Sequence, residues 1–162
     1  MRAAAVFVSL GAVLLAAVGE PARAATASGT LSVSVVVQPS CTVAGATLDF
    51  GTYSSGQAAD LTGFARINYN NCPAGQLRFE LNGGANGTTT ARKLSDGKGG
   101  LLNYGIFRDS ARTQNFGQGS DAKLVTLAAP GSGQISIYGK IPGGQVVAGG
   151  TYTDTVVITL DF

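Results

Sequence analysis

Residues 151–162 read T-Y-T-D-T-V-V-I-T-L-D-F, and Val156, Ile158, Leu160 and Phe162 fall on one side of that run. Strict alternation of β-branched and aromatic residues is the signature of a strand with one buried face. The same period recurs upstream. Residues 76–81 place Leu77, Phe79 and Leu81 on one side and Arg78 and Glu80 on the other. Residues 101–108 place Leu102, Tyr104 and Ile106 on one face, and residues 63–70 place Ala65, Ile67 and Tyr69. Shorter runs follow the same rule at 46–53 (Leu48, Phe50), 123–127 and 133–141, the last stopped by Pro142. Between the runs stand Asn82-Gly83-Gly84, Asn86-Gly87, a patch over 95–100 and Gly149-Gly150, all turn chemistry. No stretch sustains a helical period. Seven or more short strands separated by turns predict an all-β antiparallel sandwich.

The opposite end of the chain carries a matching pattern. Residues 30–38 read T-L-S-V-S-V-V-V-Q, with Leu31, Val33, Val35 and Val37 on one face and Ser32 and Ser34 on the other. Pro39 ends the run, since proline cannot continue a central ladder. By pattern this is either the first strand of the domain's own sheet or a strand offered to another molecule.

Residues 1–24 stand apart. Met1-Arg2 is a short positive start, residues 3–18 are apolar and uncharged, and Ala22-Arg23-Ala24 supplies small residues for a peptidase. This is the layout of a secretory signal peptide, cleaved after Ala24 or, alternatively, after Ala27. The apolar run is shorter than the ~20 residues a membrane helix needs. The remainder divides into residues 25–38, the alternating N-terminal segment, and 39–162, one sandwich domain. That length argues against a two-domain adhesin with a separate binding domain, and one domain is expected.

Composition excludes several classes of function. Cleavage removes two of the 11 basic residues (Arg2, Arg23) and one of the 9 acidic ones (Glu20), leaving a net charge of +1. The only basic cluster left is Arg92-Lys93, expected to be solvated surface, so a nucleic-acid footprint is missing. The chain has 24 glycines and 44% hydrophobic residues, a composition for turns and a core rather than for disorder.

Histidine is absent, which removes the commonest general base and metal ligand. The acids Asp49, Asp60, Glu80, Asp96, Asp109, Asp121, Asp154 and Asp161 are scattered, mostly beside turns or on outward strand positions. Asp96-Gly97-Lys98-Gly99-Gly100 lacks the spacing of a calcium or phosphate loop and reads as a turn. The sequon Asn86-Gly87-Thr88 is read the same way. No catalytic residue, metal or cofactor is expected. Cys41 and Cys72, in an exported chain, read as one disulfide, with two free thiols as the alternative.

Several short motifs, in order, resemble the spore coat protein U domain family, which includes the archaic, Csu-type chaperone–usher pilin subunits. They are the alternating segment before Cys41-Thr42-Val43, then Leu48-Asp49-Phe50-Gly51-Thr52-Tyr53, and Cys72 at the second cysteine position. Leu102-Asn103-Tyr104-Gly105-Ile106-Phe107-Arg108-Asp109 and Tyr138-Gly139-Lys140-Ile141-Pro142 follow. The chain closes with Gly150-Thr151-Tyr152-Thr153-Asp154-Thr155-Val156 and alternation to Phe162. Phe116 stands where many relatives carry tryptophan.

The resemblance implies an incomplete immunoglobulin-like sandwich that lacks its final strand and is completed by a donor strand from another subunit. It implies a periplasmic chaperone, an outer-membrane usher and identical or related pilin subunits as partners, and a surface pilus supporting adhesion and biofilm formation. Carried onto this chain, the donor face is Leu31, Val33, Val35 and Val37. The strand bordering the groove and pairing with the chaperone carries Val156, Ile158, Leu160 and Phe162. Two other readings stand beside it: an exported monomeric binding module, and a spore or cell-coat protein built from the same domain.

Overall fold

The structure, a computed structural model, describes residues 25–38 and 40–162. The expected signal peptide lies outside the described residues. Residues 25–36 belong to a unit distinct from Val37–Phe162. Residues 25–38 carry no helix or strand, and Leu31, Val33, Val35 and Val37 are 83–88% exposed. Period-two patterning makes a strand only where a neighbour completes the ladder.

Within Val37–Phe162 the described residues form eight strands. They are β1 (Thr42–Val43), β2 (Leu61–Cys72), β3 (Gly75–Leu81), β4 (Arg92–Ser95), β5 (Leu101–Phe107), β6 (Lys123–Leu127), β7 (Gly131–Ile141) and β8 (Ile158–Asp161). A single 3-10 turn spans Gly119–Asp121. One sheet has the order β1-β2-β7-β5-β4, the other β6-β3-β8, and every pairing is antiparallel.

The core follows the expected parity. Ala65, Ile67 and Tyr69 of β2, Leu77, Phe79 and Leu81 of β3, and Leu102, Tyr104 and Ile106 of β5 are all buried. Ile135, Ile137 and Ile141 of β7 join them, and Phe116, the loop aromatic, is fully buried. Cys41 and Cys72 form a disulfide that ties the start of β1 to the end of β2. The turn reading of 95–100 holds: the Asp96 carboxylate accepts the N–H groups of Lys98 and Gly100 at 2.8 Å each.

Three expectations are corrected. Residues 46–53 and the start of the 151–162 run are not paired strands. Only Ile158–Asp161 of the latter has a ladder, against β3. Burial nevertheless alternates through both, with Leu48, Phe50, Tyr152, Asp154 and Val156 turned inward. The side chains obey the pattern, while the backbone of 46–50 has no ladder and that of 151–157 has only an isolated bridge, Thr153 with Ser95. The third correction is Arg92. It is 1% exposed and opens β4, a strand not recognised in the sequence.

The disulfide closes a loop of 31 residues' separation, and the chain-entropy argument assigns it about 3–4 kcal/mol. Replacing both cysteines by alanine should lower the urea-unfolding free energy by that amount, with a steeper slope because the unfolded chain without the crosslink exposes more surface. Equilibrium denaturation followed by far-UV circular dichroism checks it.

Candidate functional site

The two segments that lack a continuous ladder bound a common cleft. After β1 the chain crosses from the first sheet to the inner side of the sandwich. There Leu48 and Phe50 lie flat against β2 and β7. This approach needs residues without side chains beneath it. A Cβ on Gly139 would sit 2.6 Å from the Phe50 ring and 2.9 Å from a Leu48 methyl, and one on Gly63 would sit 3.0 Å from Leu48. The Phe50 ring meets Tyr104 edge-on at 6.0 Å. Tyr53 anchors the end of the segment: its oxygen accepts the Gln145 N–H at 2.9 Å. Among the described residues, no hydrogen bond reaches the backbone N–H of Ala46, Thr47, Leu48, Asp49 or Phe50.

The opposite wall runs from residue 147 into β8. In extended chain, successive N–H groups point to opposite edges. One edge is satisfied. Thr153 exchanges two 2.9 Å backbone bonds with Ser95 of β4. The Thr155 N–H donates to its neighbour Asp154 (2.8 Å), and the Val157 N–H donates to the Asn82 side chain (2.9 Å). The other edge, carrying the N–H groups of Asp154 and Val156, has no partner among the described residues. β8 continues this edge, being the outer strand of its sheet.

Between the walls lies a cleft of about 800 Å³ bounded by residues 46–53 and 147–156. A smaller cavity of about 130 Å³ continues beneath it, reaching Ile67, Leu81, Ile106, Ile137 and Ile158. The second sheet therefore reads β6-β3-β8, then a gap, then residues 46–50. The gap is flanked by free backbone and floored by aliphatic side chains.

One wall is pinned from behind by polar groups. The Asp154 carboxylate accepts the Tyr104 O–H (2.7 Å) and the Ala85 N–H (2.8 Å). Burial and this hydrogen bond push the Tyr104 hydroxyl above the ordinary tyrosine range, so it remains a donor at neutral pH. The Asn82 side-chain oxygen accepts from Gly84 and Val157, while the Asn82 N–H donates to the Val157 carbonyl at 3.1 Å. Arg92 fixes the same turn from below. Its guanidinium donates to the carbonyls of Asn82 (2.7 and 2.9 Å), Thr89 (2.9 Å), Phe116 (2.9 Å) and Leu81 (3.2 Å). Burial draws the Arg92 pKa below that of an ordinary arginine, an effect opposed by Tyr104, Asp154 and Asp121.

Of the residues singled out in the sequence, Val156 and Ile158 line the cleft system. Leu160 is half-buried in β8 opposite Phe79, and Phe162 lies beyond β8, 54% exposed. Leu31, Val33, Val35 and Val37 are solvent-facing, as described above. Sequence reasoning did not find the Leu48–Phe50 wall or the Asp154, Tyr104, Asn82 and Arg92 cluster. A signal for part of it existed: Asp154 shares inward parity with Val156 and Ile158, and Arg92 with Leu94. A charged residue at an apolar parity position marks a buried polar role.

An antiparallel sandwich with one strand position empty between two free edges is an incomplete immunoglobulin-like domain. Residues 27–159 match the Spore Coat Protein U domain, and the chain belongs to that family. It is 32% identical over 158 residues to Protein U of Myxococcus xanthus, the match covering 88% of each chain. Its fold is similar to a chain in the crystal structure of the CsuC–CsuE chaperone–tip adhesion subunit pre-assembly complex from archaic chaperone–usher Csu pili of Acinetobacter baumannii. That likeness has a TM-score of 0.55 at 23% identity and covers 78% of this chain. This chain spans about 40% of the length of that one.

Removing the guanidinium should be costly, because several buried carbonyls lose their donor together. Arg92→Leu is expected to destabilise the domain by about 3 kcal/mol or more. Tyr104→Phe, which removes only the bond to Asp154, should cost about 1 kcal/mol. Urea unfolding of both variants beside the wild type checks the order.

Proposed function

We propose that this protein is a structural subunit of a surface pilus, exported through its N-terminal signal peptide and assembled by donor-strand exchange. The observation that carries the reading is the empty strand position: two free backbone edges facing each other over an aliphatic floor. A guest that satisfies both edges and fills the floor must be an extended strand with alternating apolar side chains. The chain has such a segment in residues 30–38, whose apolar face is Leu31, Val33, Val35 and Val37.

In this reading the donor segment of one subunit enters the groove of the next, which is an identical or related subunit. The edge formed by Asp154, Val156 and β8, with Ile158, Leu160 and Phe162, first pairs with a strand of a periplasmic chaperone. An outer-membrane usher then exchanges that strand for the donor. The link 38–40 between donor and domain is short, and the donor serves a neighbour rather than its own groove. The assembled fibre supports adhesion and biofilm formation. The work is structural: the chain has no histidine, and the site is built to hold backbone rather than to move protons. The family's description also favours a second reading, a spore or cell coat assembled from the same domain.

Material sheared from the cell surface should give a ladder on a denaturing gel when unboiled and collapse to monomer on boiling. A chain lacking residues 28–37 should be exported and folded yet give no ladder. Val33→Asp, which places a carboxylate on the donor face, should thin the ladder strongly. If both shortened and full-length chains run as folded, exported monomers, the pilin reading fails and an exported monomeric binding module takes its place.

A further inference from the structure

The outer face of the first sheet is unlike an ordinary solvated sheet surface. Its outward positions on β2 and β7 pair as Thr62 with Lys140, Phe64 with Tyr138, Arg66 with Ser136, and Asn68 with Gln134. Phe107 of β5 stands opposite Tyr138 on its other side. Three aromatic rings therefore form one row across three adjacent strands, and the Phe64 and Tyr138 rings lie 5.4 Å apart. Each ring carries a cation: Arg66 lies 4.8 Å from Phe64, Arg112 5.9 Å from Tyr138, and Lys140 5.8 Å from Phe107.

Phe64 is 45% exposed, an unusual position for a phenylalanine. Lys140 is within 3.7 Å of Asp60, and Arg112 donates to the Gly139 and Ser110 carbonyls. Arg66 is exposed, and among the described residues no hydrogen bond or ion pair engages its guanidinium. Of the three cations, only Lys140 is paired with a carboxylate among the described residues. Around them are hydroxyls and amides, from Thr62, Ser136, Asn68 and Gln134.

We infer that this outer face binds an acidic polysaccharide, a chain of uronic-acid type. Aromatic groups meet the C–H faces of sugar rings, amides and hydroxyls exchange hydrogen bonds with sugar hydroxyls, and the cations meet the carboxylates. Two interstrand steps of about 4.8 Å give the ring row a span near 10 Å, enough for two consecutive sugar rings. A peptide strand has no free edge to join here, because β2 and β7 are each paired on both sides. A second copy docking through the same face would bring like charges together. The face lies on the outside of the sheet whose inner side floors the groove, so its use does not depend on donor-strand exchange.

The test uses the purified full-length secreted chain and immobilised alginate in the presence of a chelator, with neutral dextran as the control surface. The wild type should be retained on alginate and not on dextran, with retention weakening in high salt. Arg66→Gln, which touches no hydrogen bond of the fold, and Phe64→Ala combined with Arg66→Gln should bind progressively less. The double variant should lose roughly tenfold, with urea midpoints recorded for each. Wild-type retention no greater than on dextran overturns the inference. So does equal retention of the Arg66→Gln and double variants. A change of oligomeric state in the variants at unchanged retention also overturns it, and would assign the face to contacts between copies.

Discussion

The organisation of this domain turns on backbone hydrogen bonds that it cannot make for itself. The N–H groups of residues 46–50 on one side, and of Asp154 and Val156 on the other, have no partner among the described residues, and the two segments bound one cleft. In water such groups bind solvent at little cost. In a closed sandwich the floor behind them would be dry, and each unsatisfied group would cost about 1–3 kcal/mol. The cleft therefore combines two incompatible demands. Its aliphatic floor favours being covered, and its edges require that the cover be another strand. No side chain or loop meets both conditions as well as an extended segment of alternating polarity.

A groove of this kind is useful only if its walls hold their shape while empty. An unpaired strand gains nothing from a ladder, and something else must keep it extended. On the first wall the support is steric: Gly63 and Gly139 let Leu48 and Phe50 sit directly on the sheet. On the second it is polar. Asp154 holds the 82–85 turn and Tyr104, Asn82 holds Val157, and Arg92 holds Asn82. The cluster is satisfied throughout, since no buried side-chain nitrogen or oxygen among the described residues lacks a partner. Complete satisfaction lets a polar network fix geometry inside an apolar core without a net penalty.

Most of the fold could be read from parity. Wherever alternating residues met neighbours on both sides, as in β2, β3, β5 and β7, element and buried face were legible. Residues 46–53 kept the alternation without a ladder, and 151–157 kept it with pairing on one edge only, at Thr153, because periodicity records which face is buried and is silent about lateral neighbours. The wall at Leu48 and Phe50 was invisible for a further reason. Its position depends on glycines far away in sequence, and no local pattern encodes that contact. Arg92 misled because arginine is read as surface; only its shared parity with Leu94 hinted otherwise. The segment 30–38 is the converse case, a strand pattern in residues that form no strand, and the reading that gives it a partner rests on the groove rather than on the pattern.

Amide hydrogen exchange tests the central claim most directly, comparing the isolated subunit with its assembled form residue by residue. In the isolated subunit the N–H groups of Leu48, Phe50, Asp154 and Val156 should exchange rapidly, while those of β2 and β7 are protected. On assembly these four should become protected together with the N–H groups of residues 31–37. Strong protection of the four in the isolated subunit, or no gain on assembly, would contradict the account, because the gap would then not be an empty strand position.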